Sequence, residues 1–517
     1  MKKLFYSLLV ISTLLVPACS SKKSSNPDPT EPTKTGSALD QMRDSVWLYE
    51  KEDYLWHAAI PSYAAFDPRG SKYTAGDAFT TLKNESDRLS QYAINPATNP
   101  PEPYEYYAPS PGHAKYSFID NGTVAAELNG TKGDFGFDFD WDTVTDLRII
   151  SVYPGSPADL AGIKRGYKIL TINGSPNITY DVFPNGDQTS NDFNAVINAI
   201  LNSNTISMTL QKGDGTTLTV TNMAVANYTV NPVITYKTFN EGFGHIVGYM
   251  VFNSFTSPAN AEPQLNTAFA YFTAQGVTDL VVDLRSNGGG DVSTAEYLDN
   301  LIVPAAKSGS LMFTYNWTDN IQNDADPLLN AAIGPIPTGY FKAANQVVNF
   351  GKVGTLAVNR VFFIITFRTA SASELTINNL RPEMDVQYVG NTSYGKPVGF
   401  VSIPLNNGNF DYYTPEFSTL NSAGQGGYYN GFTPGASGYP GVEDADDLTK
   451  DFGDPTERLL AHILIYVQKG SYTLPASLNT PVTQSLFAKQ RALTYSKISD
   501  QHKFNGMVFD KKVKKKR

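Results

Sequence analysis

The run Leu280-Val281-Val282-Asp283-Leu284 empties within a few residues into Gly288-Gly289-Gly290, and this constrains the fold more than any other feature. A short, branched, almost wholly apolar run bounded by glycine reads as a strand buried on both faces. Ile246 to Phe252, Val361 to Phe367 and Val386 to Val389 repeat the pattern. Between them, Leu265, Phe269 and Phe272 mark one face of a helix closed by Gly276, and Glu374 to Leu380 reads as the start of another. Strands alternating with helices require a mainly parallel sheet covered on both faces, so the chain from about residue 229 is expected to be α/β.

A chain of 517 residues exceeds one hydrophobic core. Met42, Val46, Leu48, Tyr49, Leu55 and Trp56 recur at helical spacing, and a second such pattern runs from Ala78 to Tyr92. A small helical N-terminal domain over 38–110 is expected, followed by an irregular connector broken by Pro100, Pro101, Pro103, Pro109 and Pro111. Over 133–228 the pattern becomes β-rich. Strands are expected at Leu147 to Val152, Lys168 to Ile172 and Ile206 to Leu210, with helices at Ala158 to Ala161 and Asp192 to Leu201. The Asn/Gly/Tyr-rich stretch 405–443 reads as long loops.

The formal charge of −9 argues against a nucleic-acid partner, because phosphate binding needs a concentrated basic surface. The one basic cluster, Lys511 to Arg517, reads as a solvated tail. Cys19 is the only cysteine, which excludes an intrachain disulfide, and the five histidines lack metal-ligand spacing, so no metal or other cofactor is expected. Lys2 and Lys3 precede a short apolar run, Leu4 to Val16, that ends in Val16-Pro17-Ala18-Cys19. This resembles a bacterial lipoprotein signal over 1–18, with lipid attached at Cys19 and a Ser/Pro/Lys-rich tether over 19–37. No acidic run follows Cys19, so the expected location is the bacterial cell envelope, facing the periplasm.

Two segments could carry chemistry. The glycines after Asp283-Leu284-Arg285-Ser286-Asn287 let a backbone approach a ligand and offer N–H groups to an oxyanion; they fit a tight turn equally well. Thr369-Ala370-Ser371-Ala372-Ser373-Glu374 sits between an apolar strand and a helix. A serine there is near a helix N-terminus, which favours a developing anion; it also fits a plain N-cap. A serine nucleophile needs a base. No histidine lies in these segments, but a buried lysine can serve when neutral, and Lys396 follows Gly395 in a glycine-flanked stretch.

The D-L-R-x-N-x-G-G pattern at 283–290, S-A-S-E at 371–374 and G-K at 395–396 occur in the order found in the C-terminal-processing, or tail-specific, serine peptidases, which this chain resembles over more than half its length. The resemblance implies a ClpP/crotonase-like catalytic domain over 229–470, with Ser371 as nucleophile and Lys396, 25 residues later, as its base. It implies an oxyanion hole from the backbone of Gly289 and Ala372, Glu374 as an orienting residue, and protein or peptide substrates with free C-termini. Residues 156–174, S-P-A-D-L-A-G-I-K-R-G-Y-K-I-L-T-I-N-G, resemble a PDZ domain, with Gly136, Phe137, Asp138 and Phe139 where that family binds a peptide carboxylate; Phe137 and Phe139 fit a core role equally. The remaining 471–517 is expected to be an extension ending in the basic tail.

The chain departs from the family where a glutamine often stands four residues after the lysine: here it is Phe400. That keeps open a second reading, a peptidase-like lipoprotein that binds tails or other envelope ligands without cleaving them. A glycan hydrolase would need a pair of carboxylates that no motif supplies.

Overall fold

The computed structural model describes residues 32–181, 191–405, 409–478 and 506–509. The expected lipoprotein signal, Cys19 and the basic tail therefore lie outside the described residues. Among the described residues no helix is long and apolar enough to cross a membrane.

The largest sheet runs Val233–Gly242, His245–Phe252, Asp279–Asp283, Arg360–Ile365, Asp385–Gly390 and Gly441–Glu443 in spatial order. Its first pair is antiparallel and the rest are parallel. Side chains alternate between faces, as the pleat dictates. Leu280, Val282, Val361, Phe363 and Ile365 face a core with helices Pro258–Gln275, Val292–Ile302 and Ala372–Leu380. Val281, Phe362 and Ile364 face helix Arg458–Lys469 through Leu459, Leu460 and Ile463. The buried strands and the helix after Ser371 thus form as the sequence pattern requires, though Val361 to Phe367 pairs only as far as Ile365.

The β-rich region forms a five-stranded antiparallel sheet, Phe137–Thr143, Asp146–Val152, Lys168–Ile172, Thr205–Gln211 and Thr217–Ala224, with helices Pro157–Leu160 and Asn191–Leu201. Phe193, Val196, Ile197 and Ile200 seal its core on one helix face, as the sequence predicts.

Two expectations fail. The first helix stops at Glu52, so Leu55 and Trp56 lie beyond it. The stretch 405–443 is not wholly loop: it contains strands Phe410–Tyr413, Phe417–Asn421 and Gly441–Glu443. Their inward residues include Tyr412, Thr419 and Asn421, so the alternation is real but not conspicuously apolar. The first of these strands also ties the N-terminal region to residues 403–413. Phe410–Tyr413 pairs with Phe118–Asp120 on one side and Ile403–Leu405 on the other. Met42, Val46, Tyr54, Phe66 and Leu82 of the N-terminal region share one core with Ile403, Leu405 and Tyr412.

Candidate active site

Two strand ends build the site. After Asp283 the chain turns through Asn287, whose amide nitrogen donates to Phe252 O at 2.8 Å and whose side-chain oxygen accepts from Gly289 N at 2.9 Å. Gly289 and Gly290 have φ of +106° and +141°, and a Cβ on Gly290 would stand 1.9 Å from Phe255 O, so no other residue fits there. The turn that follows Ile365 docks on this one. Thr369 Oγ1 donates to Leu284 O at 2.8 Å, Ala370 N to Asn287 O at 3.1 Å and Ser373 Oγ to Asn287 O at 3.1 Å.

Ser371 lies at the crest of this turn with φ +59° and ψ −107°. A non-glycine residue held there costs on the order of 1–3 kcal/mol, and such strain survives only when its surroundings over-determine it. Its hydroxyl is fully buried and has no hydrogen-bond partner among the described residues. Ala372 opens the following helix beside it.

Glu374 fixes the third piece. Its Oε1 accepts from Ser393 Oγ at 2.6 Å and Gly395 N at 2.7 Å, while Oε2 accepts from Ser371 N at 2.9 Å and Lys396 N at 2.8 Å. Burial pushes the carboxyl above its usual range, and these donors oppose that shift. The expected orienting contact with Lys396 therefore exists, but through the main chain. Tyr394 N donates to Thr369 O at 2.9 Å and closes the same joint.

The Lys396 side chain is 1% exposed and its ammonium lies 4.0 Å from the centre of the Phe400 ring, with Tyr116 at 5.8 Å and Phe118 at 5.9 Å. Nζ also donates to Tyr116 O at 3.5 Å. Burial pulls its pKa well below the ordinary lysine value; Glu105 and Glu374 oppose the shift and Lys115 adds to it. Phe400, at the position where the family often has a glutamine, turns a ring face to the amine.

Two of the expected backbone donors already have partners. Gly289 N–H is already donated to Asn287, because an Asn side chain readily bonds the amide two residues on. Of the two expected oxyanion donors it is engaged here. In the β-rich module, Gly136 N donates to Asp134 Oδ1 at 2.7 Å, and the Phe137 and Phe139 side chains take the core role that the sequence left open. Asp138 lies between them in the first strand of that sheet.

Sequence reading missed the front wall. Tyr116 Oη donates to Gly395 O at 2.8 Å, across 279 residues. Glu105 accepts from Tyr116 N, Ser117 N and Ser117 Oγ at 2.7–2.8 Å and holds that segment in place. Lys115, whose pKa burial lowers to about 8, donates to Tyr429 O at 3.1 Å. The module reaches the site as well. Asp140 pairs with Arg368, three residues before Ser371, and Arg165 and Arg285 both pair with Asp446 at 2.6 Å.

The family model described as peptidase family S41 matches residues 246–434, which include both turns and Lys396. The chain carries a peptidase family S41 domain. A chloroplastic C-terminal processing peptidase of Tetradesmus obliquus is 24% identical over 339 residues, covering 59% of this chain and 62% of that protein. A carboxyl-terminal-processing protease of a Picosynechococcus strain is 28% identical over 144 residues, covering 28% of this chain and 32% of that protein. The chain thus spans less than two thirds of the length of either relative. A crystal structure from Bacteroides fragilis, provisionally named an S41 protease, superposes with a TM-score of 0.59 at 23% identity, over 85% of this chain and 99% of that one; the two share a fold.

Proposed function

We propose that this chain is a serine endopeptidase in which Ser371 is the nucleophile and Lys396 its general base. The observation that carries the reading is the buried lysine whose main chain shares the Glu374 carboxylate with that of a strained serine whose hydroxyl has no partner among the described residues. A desolvated amine favours its neutral form and can take a proton. Neutral Nζ of Lys396 removes the Ser371 hydroxyl proton as Oγ attacks a peptide carbonyl. The oxyanion forms beside Ala372 N–H at the start of the helix; Gly289 N–H joins only after releasing Asn287. Lys396 returns the proton to the departing amine, and water then repeats the cycle on the acyl-enzyme.

Beyond the chemistry, we assign 38–110 to a helical N-terminal domain, 133–228 to a PDZ-like module that recognises substrate C-termini, and 229–470 to the catalytic domain. The arginine contacts at Asp140 and Asp446 support a module that acts on the serine turn. Lipid attachment at Cys19 would hold the enzyme in the envelope, facing the periplasm. The test is cleavage of an unfolded model protein by the wild type and by Ser371→Ala. Loss of cleavage in the variant is expected; equal cleavage by both would end the assignment.

A second reading, tail binding without cleavage, is favoured by one observation: the Ser371 hydroxyl is fully buried and not hydrogen-bonded to Lys396. Tail binding with no cleavage by the wild type is its signature.

A further inference from the structure

The chain returns at 506–509 to a place its own sequence does not announce. Gly506–Val508 forms a three-residue strand parallel to Gly289–Asp291, the glycine turn of the site, with Gly506 N donating to Gly288 O at 3.0 Å. On its other edge it bonds the segment that follows Lys396: Phe400 N donates to Met507 O at 2.9 Å and Phe509 N to Phe400 O at 2.8 Å. The strand therefore fills the slot between the glycine turn and the lysine segment. The carbonyl oxygen of Gly506 stands 2.3 Å, and Ala372 N 2.9 Å, from the point a Gly289 Cβ would occupy. A peptide carbonyl is thus held in front of Gly289, on the side where the helix presents its first amide.

Side chains anchor the strand from both faces. Val508 packs in a cluster with Tyr116, Val398, Phe400 and Tyr413. Met507 and Phe509 enter the main core, where the Phe509 ring lies 5.1 Å from Trp317 and 5.5 Å from Tyr315. Extended backbone bonded on both edges, with alternate residues in pockets, is how a peptide is bound by strand addition.

We propose that residues 506–509 are a built-in occupant of the peptide groove, a strand of the chain's own tail that substrate must displace. The proposal rests on the peptidase reading for its kinetic consequence but not for the occupancy itself. A cis occupant lowers the fraction of molecules able to bind and so raises the apparent KM, while a displaced tail leaves kcat untouched.

The experiment uses full-length chains. A fluorescein-labelled peptide with the sequence of residues 504–511, Phe-Asn-Gly-Met-Val-Phe-Asp-Lys, is titrated by anisotropy into Ser371→Ala and into Ser371→Ala carrying Phe509→Ala. We expect binding at least about tenfold tighter to the second chain, whose own strand has lost its anchor. With Ser371 intact, Phe509→Ala should lower KM at least about threefold at unchanged kcat, and the peptide should restore the higher KM competitively. Equal peptide affinity, or a loss of kcat without a fall in KM, would overturn the proposal and leave the strand a fixed part of the core. Met507→Ala serves if thermal melting shows that Phe509→Ala does not fold. A tenfold difference in peptide affinity with no cleavage by any chain would uphold the occupant while ending the peptidase reading.

Discussion

The main-chain amides of Ser371 and Lys396 share a single acceptor, Oε2 of Glu374, at 2.9 and 2.8 Å. The two residues are 25 apart in sequence and on different turns, so this one carboxylate sets their relative position. A carboxylate with four donors in a buried joint is costly to remove, since each donor would be left without a partner.

Glu374→Ala is therefore expected to destabilise the protein by about 3 kcal/mol or more, read as a lower urea midpoint at unchanged slope. Cleavage should fall with it even where the chain remains folded. An unchanged midpoint would show that the joint is held by other contacts, such as Tyr394 N to Thr369 O.

Ser371→Ala and Lys396→Met should each reduce cleavage of an unfolded protein by about a thousandfold or more, in line with the loss of one member of a nucleophile–base pair. Ser371→Ala should also melt close to the wild type, because the hydroxyl makes no hydrogen bond to lose. Lys396→Arg should be as inactive as Lys396→Met, since a guanidinium stays charged.

Cleavage should rise with pH as the Lys396 amine loses its proton, with the midpoint well below the ordinary lysine range because burial disfavours the cation. Phe400→Leu removes the ring face that favours the ammonium form. The rising limb should then move to lower pH. A shift to higher pH, or none, would mean that the ring does not govern the lysine's charge.

Glu50 and Asp53 are buried carboxyls whose pKa values are pushed up to about 8, chiefly by desolvation. The folded state thus holds protons that the unfolded state releases at ordinary carboxyl values, 4.5 and 3.8. Their contribution is full below those values and declines as pH rises toward about 8. Stability measured by urea should fall between pH 5 and 8, roughly, and Glu50→Gln should flatten that decline. An equally steep fall in the variant would assign the effect to other groups.

The four central strands of the large sheet were legible because they are short apolar runs that only a doubly covered sheet can bury, whereas its edge strands Val233–Gly242 and Gly441–Glu443 were not; the serine turn was legible because a strand-to-helix junction confines what can follow it. The strands Phe410–Tyr413 and Phe417–Asn421 were hidden by inward tyrosine, threonine and asparagine that match no apolar alternation. The engagement of Gly289 N–H was readable in principle, since Asn287 stands two residues before it and Asx turns take that spacing. The wall of Tyr116 and Phe118 was not, because nothing local to a proline-rich connector encodes a contact with Gly395.

That wall comes from the front third of the chain, and the strand Phe118–Asp120 is woven into a sheet with residues from the back. A fragment beginning at residue 229 would lack the Tyr116 and Phe118 rings beside Lys396 and the N-terminal core partners of Tyr412 and Ile403. Water would reach the amine, and an amine in water is an ordinary cation at neutral pH. The uncharged amine that the proposed reaction needs is thus maintained by a part of the molecule that carries none of its chemistry.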